Sequence, residues 1–90
     1  NQIVSSDILE LIEISPEFCV EQFKATKEMF GKSLADMNLR KRYEVVVVAI
    51  KRKDEMIIIP PKDEKILEGD LLIVILRTAN LKNVMKLMEK

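Results

Sequence analysis

The chain has 90 residues, enough for one small domain, and its 15 Lys and Arg balance 15 Asp and Glu. A neutral chain with no long basic block argues against general nucleic-acid binding, and no apolar run reaches the ~20 residues of a membrane-spanning helix. One cysteine excludes an internal disulfide, and the lack of histidine removes the commonest general base and metal ligand.

Residues 1–7 (NQIVSSD) read as the end of a linker from a preceding domain, and the folded domain is expected over residues 8–90. The start lacks the basic, then apolar, then small-residue order of a signal peptide. ILELIEI, residues 8–14, is a short strand, and Ser15-Pro16-Glu17 turns the chain. FCVEQFKA, residues 18–25, is a more polar strand that belongs near a sheet edge. Ser33 with Asp36 three residues on gives a capping box, which starts a short helix. Leu34, Met37 and Leu39 form its inner side. Arg40, Lys41 and Arg42 end it, where positive charge suits the helix dipole.

Tyr43 begins a strand that runs to residue 50. KRKDE, residues 51–55, is a polar hairpin turn, and MIII, residues 56–59, returns until Pro60-Pro61 stops it. A loop follows, closed by a turn at Gly69-Asp70 where Gly69 supplies an unusual backbone angle. The last strand covers residues 71–76. Thr78 or Asn80 then caps a final helix with Leu81, Val84, Met85 and Met88 on one face. Lys82, Asn83, Lys86, Glu89 and Lys90 make the other face. The order is ββαβββα, an α+β domain with a mostly antiparallel sheet and two helices.

Two strands, EVVVVAI and LLIVIL, are apolar on both faces. Two short helices shield one side of a sheet. Leaving the other side wet would expose a contiguous apolar patch. A second copy in a two-fold dimer is the simplest cover; the alternative is that the first two strands fold over it.

Little in the chain suggests catalysis, and no enzyme is expected. Gly31 and Gly69 fit no phosphate-binding loop. Asp54-Glu55 and Asp63-Glu64 lie in turns, where carboxylates stay solvated. Lys51, Arg52 and Lys53 read the same way, as a solvated hairpin. Cys19 is read as a small buried hydrophobe. Arg40, between an apolar helix and an apolar strand, needs a partner or a ligand.

Three motifs carry a resemblance: GKSL…L-R-x-x-Y, V-x-A-I-K-R leading into its hairpin, and I-L-x-x-G-D-x-L-I-V. In this order they resemble the C-terminal regulatory domain of the TrkA and KtrA potassium-uptake regulators, the RCK C-domain, from about Ile8 onward. The resemblance implies a cytoplasmic ligand-binding domain that dimerises. It would follow a nucleotide-binding domain for NAD(H) or ATP/ADP, and it needs no cofactor of its own. The regulator would form a ring on a membrane potassium transporter subunit, at the inner face of the membrane, and gate it. The same domain can be attached to another ion or solute carrier, or serve only to join subunits. Some relatives bind cyclic di-AMP through an apolar pair, an Asp-x-Arg and an Asn six residues after the Arg. Laid on this chain, the pair falls on Leu34 and Ala35 and the Arg on Arg40. Asn38 stands at the Asp position and Val46, beside Val45, at the Asn position. The lost Asn removes a hydrogen bond that would read the ligand, which counts against cyclic di-AMP; the cleft could hold another small ligand.

Overall fold

The unbroken apolar run after Gly69 becomes a strand with a neighbour on each side. The computed structural model describes residues 16–88; the expected linker (1–7), the expected strand at residues 8–14, Ser15, Glu89 and Lys90 lie outside the described residues. Four strands form one sheet: β1 (Phe18–Lys24), β2 (Val46–Arg52), β3 (Glu55–Ile58) and β4 (Leu71–Arg77), in the order β1-β4-β2-β3. Every pairing is antiparallel. The α+β class is therefore as expected, and among the described residues β1 lies at the sheet edge, as its polar residues suggested.

Because side chains alternate along a strand, β4 divides its apolar residues between two sides. Leu72, Val74 and Leu76 face the helices and are fully buried. The pairing places Cys19 and Phe23 of β1, and Val47 and Ile50 of β2, on that same side. Cys19 is only partly buried there. Ile66, Val84 and Met88 close the core from the loop and the last helix. Each fully buried aliphatic side chain of this kind is worth about 1.5–3 kcal/mol.

The other side of the sheet carries Val20, Ile73, Ile75, Val46, Ala49 and Ile58. Ala49 and Ile73 are buried, yet neither belongs to the cluster that the helices close. Val46 is 43% exposed and Ile58 51%. Among the described residues no strand folds over this side, since β1 extends the sheet beside β4 instead.

Among the described residues the first expected helix appears as two short pieces, α1 (Leu34–Met37) and α2 (Leu39–Tyr43), and the second as α3 (Leu81–Met88). The expected first helix is divided at Asn38, whose φ of 50° is left-handed. Tyr43 ends α2 and does not begin β2, which starts three residues later. A single 3₁₀ turn, Lys27–Met29, adds Met29 to the core. Before α3, Thr78 donates its hydroxyl to the Pro16 carbonyl and Asn80 its amide to the Tyr43 carbonyl. Both expected caps thus tie distant segments together. Met85, expected inside, is 42% exposed. The buried arc of α3 is centred on Val84, which draws Leu87 toward the core and turns Met85 away.

Candidate functional site

Two left-handed residues shape the cavity beside α1. The capping box at Ser33 holds, with the Ser33 hydroxyl accepting from the Asp36 N–H at 3.0 Å and the Asp36 carboxylate from the Ser33 N–H at 3.3 Å. It starts α1, a four-residue helix too short to persist alone. Asn38 ends α1 by donating its N–H to the Leu34 carbonyl, and the same residue opens α2. Asn is among the few side chains that tolerate this conformation. Glu44, at φ 57°, then ends α2 and turns the chain into β2. A bulge at Val48 bends the start of β2.

Between these turns lies an open cavity of about 350 Å³. Leu34, Ala35, Asn38, Arg40, Val45 and Val46 all line it, so the structure brings together every residue on which the family motif falls. Pro60 and Lys62 also line it. Sequence reasoning missed them because they come from a loop after β3. Its only signal was the Pro60-Pro61 stop. Arg40 and Lys62 are the charged groups of the lining, and no carboxylate joins them. Arg40 is exposed, so it needs no partner to offset burial, and its side chain makes no hydrogen bond or ion pair among the described residues. The cavity therefore presents apolar walls and two uncompensated cations, which suits a small anion with apolar faces. Val46 lies both on the cavity wall and on the helix-free side of the sheet.

A second polar cluster corrects the reading of the 51–53 run. Lys51 and Lys53 are exposed, but Arg52 is only 19% exposed at its side chain. Its Nε donates to Asp70 Oδ1 at 3.0 Å and its Nη2 to Asp70 Oδ2 at 2.9 Å, a two-pronged pair with a fully buried carboxylate. Nη1 reaches Glu64 Oε2 at 3.2 Å, and Nη2 also donates to the Lys65 carbonyl at 2.9 Å. Glu64 is thus paired and partly buried, not a solvated turn residue. Asp63, Asp54 and Glu55 are exposed as expected. Burial pushes the Asp70 carboxyl up, but hydrogen bonds from Arg52 and the Leu67 N–H, with the Arg52 charge, bring it below the usual carboxylate value. The Asp70 hydrogen bond in turn holds the Arg52 guanidinium above its ordinary value. The signal was present in the sequence: Arg52 is two residues beyond inward-facing Ile50, and Asp70 two before inward-facing Leu72.

A family model, the TrkA-C domain, matches residues 21–89. Ktr system potassium uptake protein C of Bacillus subtilis (strain 168) is 37% identical over 75 residues, which are 83% of this chain and 34% of that protein. The chain spans about a third of that relative's length. Among solved structures, the RCK C domain of potassium transport protein KtrA, in complex with cyclic diadenosine monophosphate, superposes with a TM-score of 0.77 at 34% identity. That match covers 92% of this chain and 98% of the other. The GsuK RCK domain superposes with a TM-score of 0.75 at 26% identity, over 92% of this chain and 19% of that one.

Proposed function

The chain belongs to the TrkA-C domain family, and from that premise we propose that it is the ligand-binding and dimerising regulatory domain of a cytoplasmic subunit that gates a potassium-uptake transporter. One observation supports this most: the motif residues surround a single cavity whose two cations have no acidic neighbour in the lining. The ligand is a small phosphorylated molecule, a cyclic dinucleotide or another nucleotide, with its phosphate at Arg40 and Lys62 and its flat faces on Leu34, Ala35 and Val45. Cyclic di-AMP is the first candidate because the KtrA domain is known in complex with it. Val46 offers no side-chain hydrogen bond, and an unmet polar group on the ligand costs about 1–3 kcal/mol. Cyclic di-AMP therefore binds this chain more weakly than a site with Asn there.

Pairing of two copies through the helix-free side of the sheet covers Val46 and Ile58 and closes the cavity. The ligand then acts by favouring one arrangement of the pair, to the extent that its affinity for the two arrangements differs. Titration calorimetry of the 90-residue chain against cyclic di-AMP, ADP and NAD tests the ligand. Heat with one of them, abolished by Arg40→Ala, is expected. A second reading, a module that only joins subunits, is favoured by Val46 itself, an apolar group where the motif calls for Asn. No heat with any of the three, together with a sedimenting mass twice that of one chain, would establish that reading instead.

A further inference from the structure

Residues 60–66 form a strap that crosses from β3 to the back of α1. Its backbone runs antiparallel to residues 31–35, with the Gly31 N–H on the Ile66 carbonyl at 2.8 Å and the Ile66 N–H on the Lys32 carbonyl at 2.8 Å. Further along, the Leu34 N–H donates to the Glu64 carbonyl at 3.0 Å and the Ala35 N–H to the Lys62 carbonyl at 2.8 Å. Leu34 and Ala35 are one wall of the cavity, and Pro60 and Lys62 make the adjoining one, joined to it by the Ala35 to Lys62 bond. Ile66, at the end of the strap, is buried in the core; residues 60–65 meet α1 through these backbone bonds. The strap forms no strand of its own beyond the bridge at Ser33 and Lys65.

Its other anchor is Arg52, at the end of β2. The guanidinium holds the strap twice, at the Glu64 carboxylate and at the Lys65 carbonyl. It is itself held by Asp70, which also accepts from the Leu67 N–H at 2.9 Å and so fixes the strap's exit. We propose that Arg52 is a positioning residue for the cavity: through Glu64, Lys65 and Asp70 it sets the strap, and so the placement of one wall against the other. A lysine offers one compact ammonium in place of a planar fork and cannot grip both Asp70 oxygens while also reaching Glu64 and the Lys65 carbonyl. Glu64 is caught at both ends, by Arg52 at its side chain and by Leu34 at its carbonyl, so a shift at Arg52 passes directly to α1. The inference rests on the reading above only for what the cavity holds; the placement of the strap stands apart from it.

The test uses the 90-residue chain with Arg52→Lys and Glu64→Gln, the second of which leaves the buried Asp70 pair intact. Amide hydrogen exchange reads Leu34 and Ala35, with Leu72 and Val74 in the central strand as the reference. Both variants are expected to speed exchange at Leu34 and Ala35 by about tenfold or more over the reference, the mark of local opening without global unfolding. Titration with cyclic di-AMP, at a temperature where every form is folded, is expected to show a matching loss of affinity. Exchange at Leu34 and Ala35 that keeps its wild-type ratio to Leu72 in Glu64→Gln overturns the proposal. So does wild-type affinity in both variants despite faster exchange. If the wild type itself takes up no cyclic di-AMP, the ligand reading loses its first candidate, and the exchange ratio alone decides the role of Arg52.

Discussion

Asp70→Asn removes one charge from a carboxylate that is completely buried, so its effect can be worked out from three contacts. Asp70 accepts from Arg52 Nε, Arg52 Nη2 and the Leu67 N–H. An amide in its place turns two acceptor oxygens into one oxygen and an NH2 group, which then faces a donor. Breaking a buried charge pair from one side costs about 3–5 kcal/mol. Here Arg52 is not fully buried and keeps Glu64 and the Lys65 carbonyl. The loss therefore falls below that range, about 2–3 kcal/mol. In a domain of this size that lowers Tm by roughly 10–20 °C, at about 4–8 °C per kcal/mol. Urea unfolding followed by circular dichroism at pH 7 reads it directly as a lower midpoint at unchanged slope. The pH dependence gives a second reading. The Asp70 carboxyl lies below its usual value in the folded chain, so the unfolded chain takes up the proton first. The stabilisation is complete above the unfolded-state value of about 3.9 and is lost as pH falls from there through the folded value. The gap between wild type and Asp70→Asn should accordingly narrow in acid. A gap below about 0.5 kcal/mol at pH 7, within the range of ordinary surface substitutions, would refute the account of Arg52 and Asp70 as a clasp.

Two backbone substitutions test the conformations at the turns. Gly69 has φ +91° with open space where a Cβ would stand, so Gly69→Ala is expected to cost about 1–2 kcal/mol from backbone strain alone, read as a lower urea midpoint. Ile59, a β-branched residue at φ 49° and 80% exposed, should behave oppositely. Ile59→Gly relieves about 1–2 kcal/mol of strain and loses about 0.5–1 to chain entropy, so the isolated chain should be unchanged or up to ~1.5 kcal/mol more stable. A clear loss of stability would mean that Ile59 packs against its own chain.

Local chemistry was readable where one residue decides the outcome. The Ser33 and Asp36 box, the turn at Gly69 and the edge position of the polar strand at Phe18 each follow from a few side chains. The five motif positions and Val45 meet in one cavity because α1, α2 and the start of β2 are consecutive in the chain. What escaped reading depends on distant segments. Tyr43 has the side chain of a strand residue, yet the left-handed Asn38 restarts a helix that carries through it. Met85 sits on the apolar stripe, but which arc of α3 is buried is decided by the sheet it packs on. Arg52 looked solvated because its two neighbours are lysines, while its partners lie 12 and 18 residues away. Periodicity alone placed it inward, and the weight given to its neighbours concealed that.

The apolar runs that no lone sheet can use and the cavity with no acidic lining meet at Val46. Its neighbours across the sheet are Ile75 and Val20, on the side that no helix among the described residues covers. A copy that covers this side must therefore reach the cavity mouth as well. Pairing and ligand occupancy then cannot be independent: whatever fills the cavity alters the surface on which the partner rests, and the partner alters the opening through which the ligand enters. Binding free energies linked in this way are reciprocal, so a ligand that tightens the pair must itself bind the pair more tightly than the single chain. An affinity for ligand that does not change as the chain is diluted from dimer to monomer would separate the two surfaces, and with them the regulatory role from the structural one.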